Sequence, residues 1–335
     1  MYANEQQETM SREDIENLQL ERLKKIVAWA YEKSEFYHNS FDRAGIKPKD
    51  IEKLADVQKL PFLTLEEINR TDAQDFLTLP FSGIVRISNS DESDDEVVTK
   101  FYTKGDVVQN VELMTRCLVA PGINRTSVVG LQGDLSDGRF LDILYALESI
   151  GATVIPLGTD YRHWLRILEN FSIDTLISTP QLIMQLIIQL QATWKNIIDY
   201  NIEKIICVNV NNIQNPLQQH IESRAGTIVF NLFAPAEIGS AGMIFQCSNE
   251  SGHHIQEDNY LAEIVQFNNN KVIEEYDHMG ELVITTLTAQ AMPLIRYRTG
   301  QAVRRMSEKC TCGRTFTRIA TPYTRSFEDD EYLED

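Results

Sequence analysis

The sequence predicts a mixed α/β protein with a parallel βαβ layer and a smaller antiparallel β subdomain. Three observations predict it. Residues 125 to 233 alternate short aliphatic strands with helical stretches, residues beyond 240 form shorter strands joined by turns, and residues 11 to 50 carry a helical lead-in.

The lead-in comes first in the chain. Ser11 is a plausible N-cap, and Leu18, Leu23, Ile26, Val27 and Ala30 recur at the spacing of one buried helix face. "DRAGIKP" closes this region with Gly45 and Pro48. Next, "VRISNSDESDDEVVTKFYTK" reads as a strand at Val85–Ile87, a loop, and a strand at Val97–Tyr102. Asp91, Glu92, Asp94, Asp95 and Glu96 put five carboxylates into six positions of that loop. The β-branched or aliphatic runs "TSVVGL", "TVIPL", "DTLIST", "KIICVNV" and "TIVFNLF" follow at intervals of roughly 20–30 residues, and "FLDILYALESI" and "PQLIMQLIIQLQATW" lie between them as helices. Strands separated by helices build a buried parallel sheet, because the crossover helix covers the sheet face. From 240 onward "LAEIVQF", "NKVIEEY", "GELVITTL" and "PLIRYRT" are short strands, and "NNNK" marks a hairpin turn. The expected organisation is a helical segment over 1–80, an α/β core over 81–240, a β-rich subdomain over 241–320 and an acidic tail over 321–335.

Bulk properties narrow the partners. There are 31 Lys plus Arg against 49 Asp plus Glu, a net charge of −18. This disfavours nucleic acid and anionic membrane surfaces, since nothing offsets the repulsion. "FEDDEYLED" at the end of the chain holds six acids in nine residues. Such runs usually form solvated faces, or they dock a protein partner with a basic surface. No apolar run reaches the ~20 residues that cross a bilayer. The polar, acidic start does not look like a signal peptide, so the expected location is cytoplasmic.

Several segments together resemble one family. "LERLKKIVAWAYEKSEFYHNSFDRAGIKPKDIEKLADVQKLPFLTLEEI", "ESIGATVIPLGTD", "LISTPQLIM", "GELVITTLTAQAMPLIRYRTG" and "CTCGR" resemble the phenylacetate–coenzyme A ligases of the adenylate-forming superfamily, in the same order. The resemblance spans about residues 12 to 319 and implies the family's large N-terminal domain. The small C-terminal domain, with its adenylation lysine, is expected to be absent from this sequence. The family's reaction joins a carboxylate to ATP with magnesium as an acyl-adenylate. Coenzyme A then displaces AMP to give a thioester.

The resemblance also implies site residues. The family's glycine-rich phosphate loop falls on "SDESDDEVV". Glycine lets backbone N–H groups approach phosphate and hydroxyls donate to it, whereas ionised carboxylates donate nothing and repel an anion. At ~5 Å each like-charge pair costs about 3 kcal/mol at an effective dielectric of 20. The adenine-side segment falls on Asn209, Val210, Asn211 and Asn212. "FAPAE" keeps Glu237, the magnesium-linked acid if the protein is active, although an ordinary helix-start acid explains it equally. In "RYRTGQ", Arg298 and Thr299 match the nucleotide side, and Gln301 stands where the family's ribose-gripping aspartate would be.

A metal site is also implied. "FQCSNESGHHIQED" places Cys247 and His254 on the family's cysteine and histidine, and "CTCGR" adds Cys310 and Cys312. Three thiolates and an imidazole suit structural zinc, which would tie the β subdomain together across about 55 residues of sequence. Buried reduced cysteines and a redox pair stay open as alternatives. His253 points elsewhere if its segment is extended. Calcium on the acidic loop lacks the glycine and spaced ligands of a calcium-binding loop.

Three functions remain in play. One is a catalytically silent, ligase-derived module that binds a small aromatic or acyl carboxylate or a protein partner. The second is an active aryl- or acyl-acid adenylating enzyme or CoA ligase that uses ATP, magnesium and coenzyme A. The third is a purely structural subunit whose carboxylate-rich loop and tail dock a basic partner.

Overall fold

The structure is a computed structural model of the chain. It describes residues 1–93, 96–158, 161–209, 216–249, 252–320 and 323–324. Two compact units emerge: Gln109–Ser251 with Met1–Asn4, and Glu5–Val108 with Gly252–Asp335. In chain order the strands are β1 (Arg86–Ser93), β2 (Glu96–Tyr102), β3 (Val128–Leu131), β4 (Thr153–Pro156), β5 (Thr175–Ser178), β6 (Lys204–Asn209), β7 (Ile228–Phe233) and β8 (Ile244–Phe245). They continue with β9 (His253–Ile255), β10 (Tyr260–Val265), β11 (Met279–Thr286), β12 (Tyr297–Arg304), β13 (Arg318–Ile319) and β14 (Tyr323–Thr324).

The first unit is the expected βαβ layer. Its strands lie in the order β4-β3-β5-β6-β7-β8, and β8 alone of these runs antiparallel to its neighbour. All five aliphatic runs became parallel strands; β5, β6 and β7 are buried over most of their length, whereas β4 at the sheet edge stays partly exposed. The helix Pro180–Ala192 shows the local logic. Thr179 accepts a hydrogen bond from the Leu182 N–H at 3.4 Å, and Pro180 sits in the first turn, where its missing donor costs nothing. Ile183, Leu186, Ile187 and Leu190 recur at helical spacing and pack into the core with Ile205 and Val229. Fully burying each such side chain contributes about 1.5–3 kcal/mol.

After a single helical turn at Glu5–Glu8, the helical lead-in of the second unit consists of two helices, Arg12–Lys33 and Glu35–Ala44. Ser11 caps the first by accepting from the Asp14 N–H at 3.1 Å. Ser34 ends it and caps the second, and its hydroxyl also donates to the Asp75 carbonyl at 2.8 Å. Gly45, at φ +68°, closes the pair in the left-handed region where glycine pays no Cβ penalty. Leu23, Ile26, Val27 and Ala30 are buried as the spacing predicts, but Leu18 is only half-buried. Gln19 takes the interior place beside it, donating to the carbonyls of Glu257 and Tyr260 at 2.9 and 3.2 Å. Those two bonds let a polar side chain replace an apolar one.

The antiparallel subdomain has the order β10-β11-β12-β14. The turn at "NNNK" is real, with Asn270 at φ +61° and the Gln266 N–H donating to the Lys271 carbonyl at 2.8 Å. "NKVIEEY", however, forms only the single bridge Val265↔Val272, and the next strand of the sheet is β11. Gly280 explains part of the close packing there, since a Cβ would sit 2.7 Å from the Val265 carbonyl oxygen.

The acidic segment also differs from its expectation. The strands run further than the sequence suggested, from Arg86 to Ser93 and from Glu96 to Tyr102, as one antiparallel hairpin with an irregular register between Asp91 and Ser93. The backbone of Asp91, Glu92 and Glu96 is therefore extended. Alternating residues such as Ile87, Val97 and Val98 supply strand propensity on both arms, and the carboxylates do not override it. Asp94 and Asp95 lie outside the described residues, as do Val210, Asn211 and Asn212 and most of the acidic tail.

Candidate functional site

The carboxyl ends of the parallel strands in the first unit form the natural site. The chain leaves β3 toward β4 on one side, and leaves β5 toward β6 on the other. A crevice opens where such connections diverge, and ligands of open α/β sheets bind there. Polar groups line these strand ends. The Gln132 N–H donates to the Ile177 carbonyl at 2.9 Å, and the Ser178 hydroxyl donates to Gln132 Oε1 at 3.2 Å, joining the ends of β3 and β5. At the ends of β6 and β7, Asn209 donates to Asn231 Oδ1 at 2.8 Å. Asn231 donates in turn to Gln218 and Gln246, both at 3.0 Å. Glu237 lies just beyond β7 on a short 3-10 turn and is 3% exposed. Gln132, Ser178, Asn231 and Gln246 were not singled out from sequence; Ser178 ends β5, Gln132 and Gln246 directly follow β3 and β8, and Asn231 lies inside β7.

The "RYRTG" residues lie in the second unit. Arg296 holds a left-handed backbone, at φ +51°, and is buried. Its guanidinium grips both oxygens of Glu263 at 2.9 and 3.0 Å, donates to the Gln58 and Leu60 carbonyls, and lies 4.0 Å over the Phe62 ring. Burial raises the Glu263 pKa above the ordinary carboxylate range, and the attraction of Arg296 offsets only part of that. Arg298 donates to Glu281 and to Asn270 Oδ1, and Thr299 donates to the Leu282 carbonyl at 2.7 Å. Glu281 also accepts from the Gly300 N–H at 3.1 Å. Gln301 sits in β12, paired with Thr324, and is buried. These residues therefore bind their own scaffold first.

Three of the four residues expected at a metal site lie together in the second unit. One donor atom from each of His254, Cys310 and Cys312 lies within 4.8 Å of the others, while Cys247 belongs to the first unit. Cys312 Sγ is 3.5 Å from His254 Nε2, and the Arg314 N–H points at the same sulfur at 3.5 Å. Gly313, at φ +88°, makes the turn between them, a conformation L side chains rarely adopt. Burial opposes charge on His254, but hydrogen bonds donated by the imidazole to Cys310 and Cys312, and the charge on those sulfurs, outweigh it and leave its pKa raised. His253 faces elsewhere, as expected for a neighbour on strand β9. It is fully buried and its pKa falls to about 3 because desolvation disfavours its cation.

No family model matches the chain. A phenylacetate–coenzyme A ligase of Thermus thermophilus is 29% identical over 317 residues, covering 93% of this chain and 70% of that one. The Escherichia coli enzyme of the same name is 28% identical, covering 93% and 72%. The chain is thus similar to phenylacetate–coenzyme A ligases over nine-tenths of its length. Among solved structures, 2-hydroxyisobutyryl-CoA ligase in complex with 2-HIB-AMP and CoA superposes with a TM-score of 0.89 at 19% identity, covering 97% of this chain and 71% of that one. The same ligase in its postadenylation state gives a TM-score of 0.89 over 98% and 71%. At that identity the superposition establishes the adenylate-forming ligase fold. Among the described residues of this ligase relative, no helix is long and apolar enough to cross a membrane.

Proposed function

We propose that this chain activates a small aromatic or acyl carboxylic acid as an AMP-forming acid–coenzyme A ligase. In this reading ATP and magnesium give an acyl-adenylate, and coenzyme A takes the acyl group as a thioester. The observation that carries it is the strand order that diverges between β3 and β5, with the polar pair Gln132 and Ser178 at their ends, in a chain that aligns with ligases over 93% of its length. Glu237 would hold the magnesium-linked position, and Arg298, Thr299 and Gln301 the nucleotide side. ATP–pyrophosphate exchange over a panel of aromatic and aliphatic acids tests the reading. Acid-dependent exchange that falls at least tenfold in Glu237→Gln supports it.

A second reading is favoured by the acidic hairpin. Carboxylates stand where the family's phosphate loop would lie, and Gln301 replaces an aspartate. A protein built this way is a silent module that binds a carboxylate ligand or a basic protein partner. It predicts no exchange with any acid and no ATP–magnesium binding by calorimetry. Binding should then appear when Asp91, Asp94 and Asp95 are changed to Asn and Glu92 and Glu96 to Gln. ATP turnover by the unaltered chain defeats this second reading.

A further inference from the structure

We propose that the outward face of the helix Pro180–Ala192, with Trp194 at its end, is the surface through which two copies of this chain associate. Composition marks the helix out. "PQLIMQLIIQLQA" holds no charged residue, in a chain where 24% of residues are charged. Its inward face, with Ile183, Leu186, Ile187 and Leu190, packs into the core of the first unit. Gln181, Gln185, Ile188 and Gln191 recur on the opposite side and are exposed. A solvated helix face normally carries charge, whereas the centres of protein interfaces are depleted of it.

Trp194 closes this helix at a conformational cost. The Lys195 N–H donates to the Leu190 carbonyl and the Trp194 N–H to the Gln191 carbonyl, both at 3.0 Å, the pattern of a helix that ends on a left-handed residue. Glycine usually takes that place; here a tryptophan holds it at φ +59°. Its side chain is 99% exposed, so it buries nothing within the chain that would offset the strained backbone. Covering it removes about 150–250 Å² of largely apolar surface from water. Ile198 and Ile228, both exposed, continue the apolar surface, and a Cβ at Gly226, two residues before Ile228, would stand 2.8 Å from Ile198 Cδ1. Arg224, which donates to Gln191 at 3.2 Å, and the Lys195–Glu169 pair form a polar rim of both signs.

Charge decides what covers this face. The chain carries −18, so two copies repel through most of their surface. A face without charge is where that repulsion is least, and a basic partner gains nothing there that the carboxylate-rich segments do not offer better. A second copy also presents the same face in return, as a two-fold contact requires. With the two helices antiparallel, Trp194 of each copy lies over the Gln181–Gln185 end of the other. The indole N–H then meets a neutral amide oxygen, the acceptor it needs once buried.

Sedimentation velocity on the full chain from about 1 to 100 μM, at low and at high salt, tests the proposal. The expected result is a monomer–dimer equilibrium that strengthens with salt, because salt screens the net charge and leaves apolar contact intact. Trp194→Gly should weaken dimerisation roughly tenfold or more. It should not lower the melting temperature of the dilute monomer, since glycine suits the left-handed position. Ile188→Asp should weaken dimerisation by a similar factor. Val108→Ser, which removes an exposed apolar side chain of the second unit, should leave it unchanged. A single monomeric species at every concentration overturns the proposal. So does a dimer that survives both Trp194→Gly and Ile188→Asp, or one that weakens as salt rises, which puts the contact on charged surfaces instead. None of these readouts requires ATP or a carboxylic acid, so failure here and failure of the ligase reading are told apart.

Discussion

Changing Arg296 to Met should destabilise the second unit by about 4 kcal/mol, although "RYRTG" looks like a ligand-binding motif. The side chain is 4% exposed and its partner Glu263 is 6% exposed, so neither charge has ready access to water. Removing one member of such a pair typically costs about 3–5 kcal/mol, because the other is left buried and uncompensated. The Gln58 and Leu60 carbonyls also lose their donor, and Phe62 loses its stacked cation. Protonation of Glu263 returns part of this. For a unit of this size the loss should appear as a fall on the order of 10 °C in melting temperature, read by calorimetry at pH 7. Arg298→Met is the matched comparison. That side chain is 27% exposed, and Glu281 would keep the Gly300 N–H, so the fall should stay within about 4 °C. The paired variant Arg296→Met with Glu263→Leu should recover most of the loss. The pH dependence has a definite sign. Glu263 has a raised folded pKa, so its contribution is fully present below the unfolded carboxylate value and is lost as pH rises through the folded one. In Arg296→Met that decline should steepen. An Arg296→Met protein that melts within about 3 °C of the unaltered chain, or below which Arg298→Met falls, would refute the argument.

Other outcomes follow from single contacts. Asp106 accepts from the Thr103, Gln290 and Ala291 N–H groups at 2.6–3.1 Å, so Asp106→Ala should cost about 2–3 kcal/mol by chemical denaturation, and Asp106→Asn less. The backbone N–H groups of Lys53 and Glu52, and then Lys59, depress the Asp56 pKa to about 2. That group stabilises the fold above the unfolded carboxylate pKa and ceases to do so as pH falls through about 2. Thermal unfolding between pH 4 and pH 2 should therefore be flatter in Asp56→Asn than in the unaltered chain. Gly280→Ala places a methyl 2.7 Å from a backbone oxygen and should lower stability by roughly 1–3 kcal/mol, measured by urea midpoint.

The sequence alone determined the layers. Five apolar runs with helices between them leave a parallel sheet as the arrangement that buries both faces, and "ESIGATVIPL" and "RYRTG" are among the segments that carried the resemblance. Cys247, His254, Cys310 and Cys312 were named through the resemblance and not through their spacing. Periodicity reports burial, however, and does not distinguish an apolar from a satisfied polar interior residue, so Gln19 took the place beside Leu18 unseen. Only the tertiary structure decided which polar groups converge. Gln132 and Ser178 are 46 residues apart, and nothing local requires a bond between them. Arg296 and Glu263 likewise read as ordinary surface charges until the sheet folds them out of water. Local chemistry writes strands, turns and ligand types into the chain. Pairing across the fold is set by packing, which a linear pattern does not contain.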